Sequence, residues 1–370
     1  MFLALREIRR ARLRFGLLVA AIALLVFLIL AQQALQQGLI TSFVGAIERQ
    51  SAPVLVYSVD GQRTLQGSVI TPALQASVER VSGVAESGRI GQGTFTVRVD
   101  GAAQSDAALI GYERAGAGAP ERLSAGRMPR APGEAIGSAG DYSLGDTVGL
   151  AAGGGPRLRV VGLSPDAQIQ VTPTLFVSWP DYVAATQAAN PDARAVLPSA
   201  IGLRPAAGVS PRELASRINA SSPEADALTR TEAAQRSPGV RAVRTSFNLI
   251  FALFALVVPL VTGLFFLIIT LQKARALTLL RAVGAPGGAL VRSLLMQVAI
   301  LTGAGVAIGT LLFVPFSQAR VGKLQLSFDG RAVVFWALAL IALGLASAVV
   351  AARRVLAIDP FEATTGGGAR

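Results

Sequence analysis

The chain has 370 residues, 52% of them hydrophobic, and it contains neither cysteine nor histidine. These two absences exclude a thiol nucleophile, a histidine-based catalytic triad, disulfide bonds and every metal site built on cysteine or histidine. The formal net charge is +12 at pH 7, which raises nucleic acid as a partner until the positions of the charges are considered.

The chain opens with a basic, amphipathic segment that leads into a long apolar stretch. We expect a cytoplasmic amphipathic helix at residues 1–14 and the first transmembrane helix at residues 15–40. A cleavable signal peptide is the alternative, because the small residues Ala31 and Ala34 follow a basic start and an apolar run. The apolar run exceeds the roughly 7 to 15 residues usual in a signal peptide, which favours a retained anchor.

Residues 41–245 are polar and numerous enough to fold as a separate domain. Runs rich in β-branched residues predict strands, and proline at a first helical position predicts helix starts. The sequence therefore predicts an α+β domain, in which Gly83 ends the first helix. The predicted strands are Pro53–Asp60, Thr94–Asp100 and Arg157–Leu163, and the predicted helices begin at Thr71-Pro72 and at Pro211.

Three more apolar stretches lie close together near the C-terminus. The sequence thus predicts an α-helical membrane protein with four transmembrane helices (1+3) and a large α+β extracytoplasmic domain between the first and second of them. The later segments are transmembrane helices at 246–271, 293–316 and 332–352, a cytoplasmic loop at 272–292, a short external loop at 317–331 and a cytoplasmic tail at 353–370.

The positions of the charges decide the orientation and exclude nucleic acid. Residues 41–245 hold 19 basic and 18 acidic side chains, so the large domain is nearly neutral. The excess flanks the apolar stretches on one side of a four-span arrangement, and the positive-inside rule makes that side the cytoplasm, with both termini inside. We therefore expect a multi-pass protein of the bacterial plasma (inner) membrane. The flanking basic residues are Arg6, Arg9, Arg10, Arg12, Arg14, Lys273, Arg275, Arg281, Arg292, Arg353, Arg354 and Arg370.

The sequence indicates no catalytic, cofactor or metal site. Its only lysines are Lys273 and Lys323, and no segment matches G-x-x-x-x-G-K-[ST], so the chain is not expected to bind or hydrolyse ATP. The carboxylates of the large domain are interspersed with arginines, as on a solvated surface. No predicted span carries a charged residue at its centre, which disfavours an intramembrane ion or proton relay.

Small residues four apart mark two of the spans. Gly305 and Gly309 lie in the third span, and Gly344 and Ala348 lie in the fourth. Small-x-x-x-small pairs allow the backbones of neighbouring helices to approach closely, so we assign these residues to helix packing.

The loop between the second and third spans predicts a short amphipathic helix. Leu277, Leu280 and Val283 recur at helical spacing amid Arg275 and Arg281. The alternative is that the loop merely connects two spans and that its arginines only fix the topology.

This loop resembles the cytoplasmic loop of the MacB and FtsX type of ABC transporter permease, a family that includes LolC-like and DevC-like members. In that family the loop sequence is approximately R-E-x-G-x-L-R-A-[IVL]-G-A. Ala276 stands where that family commonly has Glu. Beyond the last span, A-R-R-V-L-A-I-D-P-F-E-A from Ala352 to Ala363 also resembles the family. The matching loop positions are Arg275, Leu280, Arg281, Ala282, Val283, Gly284 and Ala285.

Four short motifs of the large domain resemble the family's extracytoplasmic pattern, so that the resemblance covers nearly the whole chain. They are G-R-M-P at Gly126–Pro129, G-E-A-I at Gly133–Ile136, S-L-G-D-T-V at Ser143–Val148 and V-V-G-L at Val160–Leu163.

The resemblance implies a non-catalytic permease, paired with a second copy or a paralogue and bound to two copies of a cytoplasmic ATPase that holds the ATP and Mg. The loop helix at about Thr278 to Ala285 would be a coupling helix in a groove of the ATPase. Leu280 and Val283 would be its apolar anchors and Arg281 a polar contact.

Two function classes follow from the resemblance. The first is export or extraction of a lipid, lipoprotein, peptide or amphiphilic compound from the membrane. The second is an FtsX-like mechanotransmitter that transports no cargo and regulates a cell-wall hydrolase or another extracytoplasmic protein partner. A membrane-anchored receptor without an ATPase is a third class, and the coupling-helix motif argues against it.

Overall fold

A computed structural model describes residues 12–151, 155–193, 195–272, 287–317, 320–321, 324–325 and 330–356. The chain divides into two compact units. The first, which we call the helical unit, comprises Met1–Gln36, Ser246–Ala319 and Leu326–Arg370. The second, the sheet unit, comprises Gln37–Thr245 and Arg320–Gln325.

The described helices and strands alternate through the sheet unit and give way to helices toward the C-terminus. The helices are α1 (Arg12–Arg49), α2 (Pro72–Glu79), α3 (Trp179–Ala189), α4 (Pro211–Ser221), α5 (Arg230–Arg236), α6 (Pro238–Gln272), α7 (Gly287–Ser317) and α8 (Gly330–Leu356). The strands are β1 (Val54–Ser58), β2 (Val84–Val99), β3 (Ser105–Tyr112), β4 (Ala125–Gly126), β5 (Glu134–Ser138), β6 (Thr147–Leu150), β7 (Arg157–Ser164), β8 (Thr174–Ser178), β9 (Ala200–Pro205), β10 (Ala225–Thr229), β11 (Arg320–Val321) and β12 (Leu324–Gln325).

One half of the sheet unit is built from two interleaved β-α-β units. Strands β1 and β2 are joined through α2, and β9 and β10 are joined through α4, while the order across the sheet is β10-β1-β9-β2 with every neighbouring pair antiparallel. This is the ferredoxin-like arrangement. The segment between β2 and β9, residues 100–199, forms most of the other half.

That inserted segment closes into a six-stranded barrel together with β2. The ring of paired strands runs β2-β3-β8-β5-β7-β6 and returns to β2, and the pairs β3-β8 and β5-β7 are parallel. Closure removes the free strand edges that an open sheet would expose. Apolar side chains fill the barrel core, among them Val97, Leu109, Leu158 and Leu175, each with no exposed surface.

Helix starts follow the capping rules closely. The Thr71 hydroxyl accepts a hydrogen bond from the Leu74 amide, and Pro72 occupies the first helical turn, as predicted. The predicted end of this helix at Gly83 is wrong, because α2 stops at Glu79. Gly83 instead has a φ of +104°, which a turn before β2 requires and which favours glycine.

The four-stranded half buries both of its faces. Helices α2 and α4 cover one face through Leu74, Val78, Leu214 and Ile218. The opposite face, which we call the entry core, is covered by the end of α1, by α5, by the start of α6 and by parts of the barrel. Its members include Ile40, Val44, Ile47, Leu55, Tyr57, Ile90, Ile110, Phe176, Leu228, Ala233 and Val240.

In the four-stranded half, two polar side chains are buried without hydrogen-bond partners among the described residues. They are the hydroxyl of Tyr57 and both amide atoms of Gln92. Tyr57 belongs to the entry core, and Gln92 pairs with Ile110 of that core across β2 and β3. Burial, and secondly the charge of Asp226, raise the pKa of the Tyr57 phenol well above its ordinary value.

Replacing Gln92 with methionine is therefore expected to stabilise the protein. The methionine side chain has a similar length and removes a buried amide, whose unsatisfied groups each cost about 1–3 kcal/mol. Thermal unfolding of the purified full chain should show a higher melting temperature for Gln92→Met, and Tyr57→Phe should change it in the same direction. A lower melting temperature for Gln92→Met would show that the amide has a bound partner.

The helical unit contains the apolar helices. Among the described residues, three segments are long and apolar enough to cross a membrane, namely Phe15–Arg49, Pro238–Val257 and Leu295–Phe316. Helix α8 contains a shorter apolar stretch, Val333–Leu343. The predicted spans 15–40 and 293–316 have counterparts by length and composition, and the predicted span 246–271 overlaps Pro238–Val257 in part. The predicted fourth span, at 332–352, lies within α8.

Candidate functional site

Helices α1 and α6 each have residues in both units. Residues 37–49 of α1 and 238–245 of α6 belong to the sheet unit. There Ile40, Val44 and Ile47 of α1 and Val240 of α6 are buried in the entry core. The domain boundaries predicted from the sequence lie at 40/41 and 245/246, and the extension of both helices into the sheet unit was not predicted.

Within the helical unit, α7 packs closely against α1 at two glycines singled out from the sequence. A β-carbon added at Gly305 would lie 2.5 Å from Cγ2 of Ile22, and one added at Gly309 would lie 2.5 Å from the carbonyl oxygen of Ala23. Real β-carbons essentially never approach other heavy atoms this closely. Only glycine therefore allows the two helices to be this close at these positions.

Aromatic side chains extend this packing. The ring of Phe27 on α1 meets the rings of Phe313 and Phe316 on α7 edge to face, with centroids 6.5 and 5.3 Å apart. A second contact joins Phe251 of α6 to Trp336 of α8, at 5.3 Å between centroids. Helices α1 and α7 thus form one packed pair of the helical unit, and α6 and α8 form another.

The remaining residues predicted for the site are not described in side-chain detail. Gly344 and Ala348 lie on α8, and the surroundings of their side chains fall outside the description. The whole predicted coupling helix falls in the undescribed segment 273–286. Its residues are Arg275, Leu277, Leu280, Arg281, Ala282, Val283, Gly284 and Ala285.

The four motifs of the large domain converge on one side of the barrel. Arg127 of the first motif makes a bidentate ion pair with Glu134 of the second. The Gly145 amide of the third motif donates to the carbonyl of Val160 in the fourth. A β-carbon at Gly162 would lie 2.5 Å from the Arg127 carbonyl oxygen. These motifs hold the barrel strands together, which is a structural role.

The ionisation of Glu134 makes the stability of this cluster depend on pH. Hydrogen bonds from the Arg127 side chain and from the Arg130 and Ala131 amides lower its pKa from 4.5 to about 2. A carboxylate with a depressed pKa in the folded state contributes stability that is present above its unfolded pKa and is lost as the pH falls from 4.5 toward 2.

We therefore expect Glu134→Gln to reduce the acid sensitivity of the protein. The melting temperature of the wild-type chain should fall on acidification through this window, whereas that of Glu134→Gln should start lower at neutral pH and fall less steeply. Melting temperatures measured at a series of pH values between 6 and 2.5 check this, and parallel curves for the two proteins would contradict it.

The described ranges contain no group of three or more acidic side chains placed to hold a metal ion. Many of the carboxylates there are instead paired with arginines. For example, Glu113 makes a bidentate pair with Arg89, and the guanidinium of Arg89 also lies 4.9 Å from the ring centroid of Trp179. Such pairs serve the fold of the sheet unit.

Comparison with known proteins bears on the whole chain. Residues 248–360 match the family model described as FtsX-like permease C-terminal. The ABC transporter permease Rv0072 of Mycobacterium tuberculosis strain H37Rv is 24% identical over 99% of both chains. The hemin transport system permease protein HrtB of Staphylococcus epidermidis is 25% identical over 34% of this chain and 36% of its own length.

Two solved structures are similar to about half of the chain. The periplasmic region of MacB from Actinobacillus actinomycetemcomitans is 12% identical, with a TM-score of 0.36, and the match covers 51% of this chain and 94% of that one. The extracellular domain of the transporter YknZ from Gram-positive bacteria is 14% identical, with a TM-score of 0.32, over 48% and 99% of the two chains. The family-model match over residues 248–360 and the full-length relatives confirm the resemblance noted in the loop and tail: this chain is similar to ABC transporter permeases of the FtsX-like kind.

Proposed function

We propose that the chain couples ATP hydrolysis by a separate cytoplasmic ATPase to movement of its sheet unit outside the cytoplasm. In this proposal the permease is non-catalytic, two copies of the ATPase hold ATP and Mg, and a second copy or paralogue of the permease completes the complex. The protein would lie in the bacterial plasma membrane with both termini in the cytoplasm, in agreement with the charge distribution of its sequence.

The observation that carries this proposal is the continuity of α1 and α6. Helix α1 has 38 residues and is therefore about 57 Å long. A hydrocarbon core of about 30 Å occupies only part of that length. Because the end of α1 and the start of α6 are buried in the entry core, a shift of either helix would displace the sheet that it packs on. A flexible linker in place of the continuous helix would not transmit such a shift to the sheet.

The apolar interior of the barrel favours a sheet unit that transmits movement over one that encloses a cargo. Leu109, Leu158 and Leu175 have no exposed surface and belong to one apolar cluster, so that side chains of the described residues occupy the interior of the barrel. Cargo would therefore move along the membrane helices or the outer surface of the sheet unit. We favour export or extraction of a lipid, lipoprotein, peptide or amphiphilic compound.

The FtsX-like alternative uses the same moving parts without a cargo. There the sheet unit would regulate a cell-wall hydrolase or another extracytoplasmic partner. A filled barrel fits this alternative too. Accumulation of a membrane-derived compound in cells that lack the permease would separate the two, because the alternative predicts a defect in wall hydrolysis without such accumulation.

In both versions the ATPase meets the permease at the predicted coupling helix, and the absence of cysteine allows a sharp test. A single cysteine at position 280, carrying a photoactivatable cross-linker, should form an adduct with a cytoplasmic nucleotide-binding protein in native membranes. By helical spacing, Thr278 falls on the side opposite Leu280, so a cysteine at position 278 is the matched control and should give much less adduct.

Two results would argue against the coupling-helix assignment. One is equal labelling from positions 278 and 280, because a helix seated in a groove presents one face. The other is the lack of any nucleotide-binding protein in the adducts from position 280.

A further inference from the structure

A tight loop of the sheet unit grips the part of α1 that extends beyond the helical unit. We call residues 166–172, between β7 and β8, the clip loop. Three backbone hydrogen bonds join it to the helix. They run, donor first, from Ala46 to Gln168 at 2.8 Å, from Gln170 to Phe43 at 3.0 Å and from Val171 to Ser42 at 2.8 Å.

These hydrogen bonds use backbone groups that normally pair with each other within an α-helix. In an α-helix the amide of residue 46 pairs with the carbonyl of residue 42. Here the Ala46 amide donates to the clip loop and the Ser42 carbonyl accepts from it. The loop is thus joined to both partners of one rung of the helical ladder, so that its position is tied to the backbone of α1 rather than to mobile side chains.

A glycine makes this close approach possible. A β-carbon on Gly45 would overlap the carbonyl oxygen of Asp166 and would lie 3.4 Å from that of Gln168. One turn further along α1, the Arg49 guanidinium forms an ion pair with the Asp166 carboxylate at 2.9 Å. Backbone, close packing and charge therefore all fasten the same stretch of loop to the helix.

The other side of the clip loop is fastened to the barrel. The side-chain amide of Gln168 donates to Asp141 at 2.7 Å, and Asp141 also accepts from the hydroxyl of Ser138 at 2.6 Å. The Ile169 amide donates to the hydroxyl of Thr174 at 3.0 Å. Ser138 ends β5 and Thr174 begins β8, so the loop bridges α1 and two neighbouring barrel strands.

The backbone of the clip loop is strained at its tip. Gln170 and Val171 have φ values of +50° and +60°. A β-branched residue rarely adopts this left-handed region, and such strain persists where surrounding contacts over-determine it. Glycine or asparagine would suit this two-residue turn better. The hydrogen bonds to α1 are the contacts that hold it.

We infer that the clip loop makes residues 42–49 of α1 and the barrel a single rigid body, so that a displacement of this end of α1 is delivered to the barrel at Ser42–Ala46. This inference rests on the proposed function for the origin of the displacement, which is ATP-driven movement of the membrane helices. Val171, Gly45 and Gln168 are then positioning residues of the coupling.

The matched pair Val171→Pro and Val171→Gly tests the inference. Proline removes the amide that bonds to Ser42 and cannot adopt a positive φ, so it releases the tip of the clip loop. Glycine keeps the amide and suits the positive φ. Both changes lie in a loop that is partly exposed, so the fold of the sheet unit should survive them.

The measurement is the distance distribution between two spin labels in the full chain, reconstituted in nanodiscs. Because the chain has no cysteine, cysteines at the exposed positions Gln37 on α1 and Arg98 on the barrel can be labelled specifically. The wild type and Val171→Gly should give one narrow peak. Val171→Pro should broaden it, and a peak as narrow as that of Val171→Gly would overturn the inference.

A second pair of variants distinguishes loss of the contact between the clip loop and α1 from a local effect of proline on the loop backbone. Gly45→Ala should also broaden the distribution, because its β-carbon pushes the clip loop off α1, whereas Gly149→Ala, where a β-carbon meets nothing within 4 Å, should leave the peak narrow. Equal widths for these two variants would likewise count against the rigid body.

A coupling role also requires a readout that a purely structural role would not change. In the complex with its ATPase, Val171→Pro should keep ATP hydrolysis and lose the ATP-dependent shift of the label on the barrel, while Val171→Gly keeps both. An unchanged ATP-dependent shift in Val171→Pro would overturn the inference. If no ATPase accompanies the wild type, the proposed function fails, and the label widths without nucleotide still decide whether the clip loop joins the two elements.

Discussion

Replacing Gly309 with alanine is expected to lower the melting temperature of the protein, whereas the same replacement at Gly303 is expected to raise it. Both glycines lie on α7. The β-carbon of Gly309→Ala would lie 2.5 Å from the Ala23 carbonyl oxygen and 2.7 Å from Cβ of Val26, and the backbone of α1 cannot yield as a flexible side chain would. A β-carbon at Gly303 meets nothing within 4 Å.

The expected energies differ in sign. Overpacking of this kind costs about 1–3 kcal/mol, while glycine in the middle of a helix costs about 0.5–1 kcal/mol relative to alanine. Thermal unfolding of the two variants and the wild type in the same detergent provides the comparison. If Gly309→Ala were as stable as Gly303→Ala, α1 and α7 would not pack at this position.

A valine at Gly111 is expected to destabilise the sheet unit at least as strongly. Gly91 and Gly111, on adjacent strands β2 and β3, form a flat patch on which the ring of Tyr182 from α3 lies. A β-carbon at either glycine would overlap Tyr182, and at Gly111 it would overlap Cβ of Tyr182 itself. Helix α3 would have to move away from the barrel.

We expect Gly111→Val to cost about 3 kcal/mol or more, at the upper end of overpacking costs. Gly149→Val is the matched control, since Gly149 lies on β6 in open space. The fluorescence of the two tryptophans, one of which is Trp179 at the start of α3, can follow unfolding by denaturant. Equal midpoints for the two variants would mean that Tyr182 does not rest on the patch.

These glycines also explain part of what the sequence did not reveal. Strand β2 was predicted only from Thr94 onward, but it begins at Val84. The part of β2 before Thr94 contains Gly88, Gly91 and Gly93, which weaken the alternating pattern typical of strands. Glycines are present there because neighbouring groups approach closely, and that is a property of the folded sheet rather than of the local sequence.

Local signals were sufficient elsewhere. Thr71-Pro72 and Pro211 start helices where the capping rules place them. The apolar run after residue 15 lies within α1. By contrast, barrel closure depends on pairing between distant segments such as β2 and β6, and the clip loop depends on contacts that force Gln170 and Val171 into a conformation their own sequence disfavours. Periodicity cannot report either feature.

We propose that this chain works with a separate cytoplasmic ATPase, and affinity purification tests that partnership most directly. The tagged chain would be purified from native membranes in mild detergent, beside Leu280→Asp, Gly284→Trp and the control Thr278→Asp. We expect the wild type and the control to carry a nucleotide-binding subunit with vanadate-sensitive ATP hydrolysis, and the first two variants to lose it while remaining folded in the membrane. A wild-type preparation without any ATPase would contradict the claim and would favour a membrane-anchored receptor.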